Sequence, residues 1–506
     1  MRKLWIVLAL WCLLPIGARA AAATEFDAAS VFTDNMVLQA DREIVIYGTS
    51  PEEGAGLTVF LEEEKQEITI KDGRWEARFG ARPAGGEPFA VQIVGSDSAE
   101  QIFIENVTMG DVWLVLGQSN VEFSATALPD WDELCQKLPK NARLLTFTSA
   151  DLAGNLKGAR SRTWRPMTWL SAAQASALGV LLCDEISIST GFERPQGLIS
   201  AGFRGQELSA FLPPELSKDM ETAAEEPSLI YEAVLSGIDR FPIRGLVWYQ
   251  GEANGIYYKE YTEKFSEFIR TWREKAGHFP VYIVELAPCF PGDEPERQFL
   301  DFGTVRGAIG TLPMHLEDIW VCPTSDLFSD RAYINSLHPP NKTVLSYRVL
   351  GTILEKSYGI GNGAAPQVTK IEYGEAENEV RLFFSMPLQY KEMPRGFSGI
   401  DEDWNPVEMT DISVNGNEVR LTFDRAICIV RYGAKADDVY GETLSLCGEN
   451  GQIVPQLWYK LREPKGPSQW AWMLLYATAA AARLWPLFLI LLGGAGILWI
   501  RKKRKR

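Results

Sequence analysis

Between residues 106 and 365, apolar strand-like runs alternate with helical stretches, and that alternation constrains the fold more than any other feature of the chain. The strand-like runs are Val112-Trp113-Leu114-Val115-Leu116, Gly245-Leu246-Val247-Trp248-Tyr249 and Val281-Tyr282-Ile283-Val284. The clearest helix covers 257–275, where Tyr261, Phe265, Phe268, Ile269 and Trp272 recur every three or four residues. The pattern predicts an α/β domain with a largely parallel sheet.

Both flanks read differently. Residues 25–105 carry short β-type runs, such as Ile44-Val45-Ile46-Tyr47 and Leu57-Thr58-Val59-Phe60-Leu61, parted by turn signals at Asp72-Gly73 and Ala84-Gly85-Gly86. Closely spaced short strands predict a β-sandwich or jelly roll. Residues 366–463 return to that texture, as in Glu379-Val380-Arg381-Leu382-Phe383-Phe384. The expected organisation is an N-terminal β domain at 24–105, an α/β domain at 106–365 and a C-terminal β domain at 366–463. A chain of 506 residues has room for about three such domains, each with its own core.

The two ends predict export and tethering. Arg2 and Lys3, an apolar run over 4–16 and the small-x-small site Ala18-Arg19-Ala20 make 1–23 a secretory signal. After a linker at 464–483, residues 484–500 are apolar apart from Pro486 and Arg501 to Arg506 are all basic. A run of this length is at the short end of the ~17–25 residues that cross a bilayer. The cluster flush against it is the positive-inside pattern, so 501–506 is expected in the cytoplasm and the body outside.

With 46% apolar and 23% charged residues the chain is globular. Net charge is −16, and nine of the cations sit at the two ends, so the body is more acidic still. Phosphate backbones would repel it, which argues against nucleic acid as a partner. Cys12 leaves with the signal. Cys135, Cys183, Cys289, Cys322, Cys428 and Cys447 show no Cys-x-x-Cys and no zinc-ligand spacing, so they read as up to three disulfides or as buried thiols, with no structural metal.

Histidine is scarce, and that narrows the chemistry. An imidazole base can only be His278, His315 or His338. His278 lies in the turn after the long helix and His315 has no distinctive neighbours. His338 stands in the polar, proline-bound stretch Asn335-Ser336-Leu337-His338-Pro339-Pro340-Asn341-Lys342. Three strand ends add polar turns. The first is Gly117-Gln118-Ser119-Asn120, which sets a serine at a strand's C-terminal edge, where α/β sheets hold their sites. The second is Gly202-Phe203-Arg204-Gly205-Gln206, where Gly205 lets backbone approach a ligand. The third is Gln250-Gly251-Glu252-Ala253-Asn254, whose amides can donate hydrogen bonds or cap the next helix.

In this order the segments resemble the sialate O-acetylesterase family of SGNH-type serine hydrolases, through nearly the whole exported body. Phe32-Thr33-Asp34-Asn35-Met36-Val37-Leu38-Gln39 resembles the family's opening strand, and Asp72-Gly73-Arg74-Trp75 its next landmark. The block ending Gly117-Gln118-Ser119-Asn120 resembles the nucleophile block, which implies Ser119 as the attacking serine. The turn around Gly205 resembles a Gly-Gly-Thr oxyanion block, with Arg204 and Gln206 replacing the neighbours of the surviving glycine. Trp248-Tyr249-Gln250-Gly251-Glu252-Ala253-Asn254 is the most specific match and implies Gln250 or Asn254 as a side-chain oxyanion donor. His338-Pro339-Pro340-Asn341-Lys342 resembles the His-Pro-x-x-Lys block and implies His338 as the base. Glu285 stands where glutamine is usual.

The resemblance is weakest at the triad's acid. The usual position, three residues before the histidine, is Asn335, so the acid is expected from Asp326, with Asp330 as runner-up, or else the site is a dyad. The fold implied is an SGNH-hydrolase-like parallel-sheet domain flanked by β-sandwich-like domains. The activity implied is removal of O-acetyl groups from sialic acid or related acetylated glycans through an acetyl-serine, without metal or cofactor. The alternative is an inactive glycan-binding envelope protein on the same scaffold.

Overall fold

The computed structural model describes residues 26–96, 100–153, 162–220, 222, 224, 226–255, 260–287, 295–327, 338–339, 342–390, 394–433 and 445–465. The expected signal, membrane span and basic tail lie outside them, as do Cys289, Asp330 and Asn335. The chain forms two compact units. The first takes in the chain up to Ala253, Glu263–Val284 and His338–Gly361; the second takes in Asn254–Thr262, Glu285–Leu337 and the chain from Asn362 onward.

In the first unit, β1 (Val37–Gln39) precedes a set of antiparallel strands: β2 (Ile44–Thr49), β3 (Gly56–Leu61), β4 (Glu64–Thr69), β5 (Arg74–Phe79) and β6 (Gly85–Gly95). Period-two side-chain alternation explains them: Leu57, Val59 and Leu61 are buried along β3, as are Trp75, Ala77 and Phe79 along β5. β2 pairs with β5, and β3 pairs with both β4 and β6. The next strand, β7 (Gln101–Gly117), runs through the expected domain boundary at 105/106. Its first part pairs antiparallel with β6, and from Val107 onward every residue is buried.

That buried part is the centre of a parallel sheet. β7 lies between β9 (Gln196–Gly202) and β10 (Gly245–Tyr249); β8 (Ala142–Thr148) flanks β9 and β11 (Val281–Val284) flanks β10, all parallel. The expected parallel α/β sheet is therefore present. Helix α1 (Ser119–Glu122) is a single turn directly after β7. Helix α2 (Ala177–Ser189) packs against α4 (Lys342–Tyr358), with Leu345, Val349 and Ile353 of α4 buried. Helix α3 (Tyr261–Ala276) carries the predicted apolar stripe: Phe265, Phe268, Ile269 and Trp272 are buried. Phe265 meets Trp248 of β10 at a 5.2 Å ring separation. Burying each such side chain contributes about 1.5–3 kcal/mol, which fixes α3 on the sheet.

The second unit holds the C-terminal β region. Val368–Tyr373, Glu379–Phe384, Glu418–Phe423 and Met409–Asn415 form one antiparallel sheet in that order. Pro406–Val407, Phe397–Ile400, Ile429–Tyr432 and Leu457–Lys460 form another. Val380, Leu382, Phe384, Val419, Leu421 and Val430 belong to their common core. Also in this unit, Glu285 and Arg306 are fully buried with a 3.6 Å charge separation. The Glu285 carboxylate accepts from the Gln456 N–H at 2.7 Å, the Thr324 N–H at 2.9 Å and the Ser325 hydroxyl at 3.1 Å.

Cys183 and Cys428 are buried free thiols and Cys135 is a half-buried one. Burial pushes the Cys183 thiol up to about 12, so it is unreactive. Among the described residues no helix is long and apolar enough to cross a membrane, and 484–500 is not among them.

Candidate active site

Sheet register brings the polar turns together. Gly117 at the end of β7 is level with Gly202 of β9 on one side and Tyr249 of β10 on the other. The segments that follow all three strands therefore leave the same edge of the sheet, side by side. Gly117 is required there, because a Cβ on it would lie 2.0 Å from the Tyr249 carbonyl oxygen.

The chain then turns sharply. The Gln118 N–H donates to Tyr249 O at 3.2 Å, and Gln118 O accepts from Val121 and Glu122 at 2.9 and 3.0 Å, which starts α1 with Ser119 as its first residue. The neighbouring turn is tied to the same place. Phe203 N donates to Gly117 O at 2.9 Å, and Arg204 N donates to the Ser149 hydroxyl at 2.8 Å and to the Glu122 carboxylate at 3.2 Å. Gly205 has φ +66°, a left-handed conformation that glycine adopts without strain. Its N–H donates to none of the described residues. The Gln250 side chain is fully buried and its amide donates to Gln206 O at 3.1 Å.

His338 stands just before α4. Its Nε2 lies 2.7 Å from the Ser119 hydroxyl oxygen, a separation at which an imidazole can take a hydroxyl proton. Partial burial lowers the His338 pKa from its ordinary value, and the cations Lys342 and Arg204 lower it further. The ring is thus kept neutral, the form that accepts a proton. Arg204 is 72% exposed, and its Nε sits 3.2 Å from Glu122.

Beneath the serine runs a buried polar chain. Lys342, the first residue of α4, is fully buried, and its Nζ donates to Asn120 Oδ1 at 2.6 Å. Asn120 Nδ2 in turn donates to Glu252 Oε1 at 2.6 Å. The Lys342 ammonium also lies over the rings of Phe123 and Tyr249, 5.0 and 5.5 Å from their centres. Burial lowers the Lys342 ammonium to about 7, against the pull of Glu252. It raises the Glu252 carboxyl to about 7, against hydrogen bonds from its own backbone N–H and from Asn120 and against the Lys342 charge.

Residues 109–330 match the family described as carbohydrate esterase, sialic acid-specific acetylesterase. The chain is 24% identical to a sialate O-acetylesterase of Pongo abelii over 474 residues, covering 81% of this chain and 87% of the relative. It is likewise 24% identical to the Homo sapiens sialate O-acetylesterase, over 76% of this chain and 81% of that one. Its fold is similar to the crystal structure of a carbohydrate acetylesterase from Xanthomonas citri: TM-score 0.64, 22% identity, 87% of this chain and 100% of that one.

Of the residues singled out from sequence, Ser119, His338, Gly205 and Gln250 all lie in the first unit, with Ser119 and His338 in hydrogen-bond contact. Asn254 and Asp326 belong to the second unit. Asn254 is buried at the end of the short helix Glu252–Asn254, and Asp326 is exposed beyond the strand Ile319–Cys322. What sequence reasoning missed in the esterase is the link between Asn120, Glu252 and Lys342. Each stood in a quoted motif, one per motif, and that shared membership was the only signal that they meet.

Proposed function

We propose that this chain is a serine acetylesterase that removes O-acetyl groups from sialic acid or related acetylated sugars. The observation that carries the reading is the 2.7 Å separation of Ser119 Oγ and His338 Nε2 at the C-terminal edge of a parallel sheet. His338 takes the Ser119 proton as the serine oxygen attacks the acetyl carbonyl. The carbonyl oxygen then carries the negative charge, held by the N–H groups of Ser119 and Gly205 and by the amide of Gln250 or Asn254. When the intermediate collapses, the bond to the sugar oxygen breaks and His338 returns the proton to it. Water, deprotonated by His338, attacks the acetyl-serine, and acetate leaves as Ser119 regains its proton. Asp326 is proposed as the acid that orients His338.

Two finer points belong to the same proposal. A sugar bearing a carboxylate suits the exposed Arg204, whose charge reaches His338 in an otherwise acidic protein. The ends of the chain support export under a signal at 1–23 and tethering by 484–500, with 501–506 in the cytoplasm. The test is acetate release from O-acetylated sialic acid and from acetylated xylan, beside Ser119→Ala. Release that vanishes in the variant supports the esterase. No release from either substrate, nor from an activated aryl acetate, would leave a glycan-binding protein instead.

A further inference from the structure

We propose that Lys342, Asn120 and Glu252 act as one positioning strut that holds the Ser119 hydroxyl and the His338 ring in register. The inference rests on the reading of Ser119 and His338 as nucleophile and base. Lys342 is four residues after His338 and opens α4, while Asn120 directly follows Ser119. The 2.6 Å bond between them therefore spans the same gap as the 2.7 Å contact between His338 and Ser119, one step deeper in the protein. Glu252 closes the chain from a third segment through its 2.6 Å bond to Asn120. A buried ammonium and a carboxylate are costly to desolvate, and hydrophobic residues of similar size would stabilise the fold as well or better. Placing the pair directly behind a reacting serine is explained by what it holds still.

The strut also acts by charge. Lys342 and Arg204 are two cations whose charge disfavours imidazolium at His338. Glu252 is the anion facing Lys342. Its Oε2 is out of contact with solvent and accepts no hydrogen bond among the described residues. The Asn120 amide holds the other oxygen, and the carboxylate also accepts from its own backbone N–H. None of the three residues is proposed to touch the acetyl group.

The test compares the full chain with Lys342→Met, Glu252→Gln, Asn120→Ala and the Lys342→Met/Glu252→Gln double variant. Three readouts are taken: aryl acetate turnover across pH, the rate of fluorophosphonate labelling at Ser119, and thermal melting. Lys342→Met is expected to lower kcat about 10²-fold with KM within a few fold, as displacement of a reacting group by about 1 Å does. Its acidic limb should move to higher pH, because one of the cations that disfavour imidazolium is gone. The double variant should lose no more than Lys342→Met alone, since members of one unit are not additive. Labelling of Ser119 should slow in all four. Should Lys342→Met not fold, the slowed labelling of Glu252→Gln and Asn120→Ala carries the test. Variants that all label and turn over like wild type, or a Lys342→Met that melts lower with its pH limb unmoved, would overturn the strut. Failure of the esterase reading looks different: wild type itself would then neither label at Ser119 nor hydrolyse the aryl acetate.

Discussion

Gly117 and Tyr249 sit so close across the β7–β10 pair that the Tyr249 carbonyl oxygen occupies the space a side chain on Gly117 would need. The contact lies two residues before Ser119, so the serine's position depends on it. Gly117→Ala should destabilise the protein by roughly 1–3 kcal/mol, the usual cost of overpacking, and should lower kcat more than it changes KM. Thermal melting and steady-state kinetics check this. A variant with wild-type kcat would show that the turn tolerates displacement.

The pH dependence of kcat/KM follows from the surroundings of His338. Burial, Lys342 and Arg204 all disfavour its protonated form, so activity should hold on acidification further than an ordinary histidine would allow and fall as pH drops through the lowered His338 pKa. Replacing Arg204 by Gln removes one of the two cations, which raises that pKa. The acidic limb should therefore move to higher pH in the variant. A pH–rate profile of both proteins reads the sign directly.

Arg204 also bears on which sugar is preferred. Its guanidinium is mostly exposed, so its attraction for a substrate carboxylate is screened by water and modest. Arg204→Ala should raise KM for O-acetylated sialic acid by up to about tenfold, as loss of a charge-assisted hydrogen bond does. Acetylated xylan, which is neutral, should be hydrolysed with nearly unchanged KM. Equal losses on both substrates would remove Arg204 from any role in choosing between them.

Asp326→Asn tests the proposed acid. Losing the group that orients a catalytic imidazole lowers turnover by orders of magnitude, about 10⁴-fold in the best-known serine protease case. A drop of 10² or more would support Asp326, and activity within a few fold of wild type would discard it in favour of a dyad.

In the second unit, Glu285 and Arg306 form a fully buried charge pair with Gln456, Thr324 and Ser325 as further partners. Glu285→Ala takes a buried anion away from the guanidinium and should cost about 3–5 kcal/mol, read as a lowered Tm. Glu285→Leu with Arg306→Met should recover much of that loss.

How far these features were legible in advance depends on the distance over which each is determined. The strand β7 and the helix α3 are written in runs of neighbouring residues, so alternation and three-to-four spacing reveal them. The polar turns were legible for the same reason, since each directly follows its apolar strand. Lys342 was not. A lysine opening a helix normally faces water, and nothing near it in the chain announces that Asn120, 222 positions earlier, receives its ammonium. Nor did local pattern show that β7 continues from one sheet into the next, because each half reads as an ordinary strand by itself.

That continuity has a bearing on how the protein is made. During synthesis the strands before residue 100 emerge first, but their partner β7 runs on into a sheet whose other members, β9 and β10, end at Gly202 and Tyr249. Nearly half of the chain must leave the ribosome before β7 has both of its parallel neighbours. Until then its stretch from Val107 to Leu116, buried in the finished fold, is an open strand edge. The N-terminal β region is thus no detachable appendage, since it pairs with the strand that leads into Ser119. A shortened protein starting at residue 106 would begin in the middle of that strand.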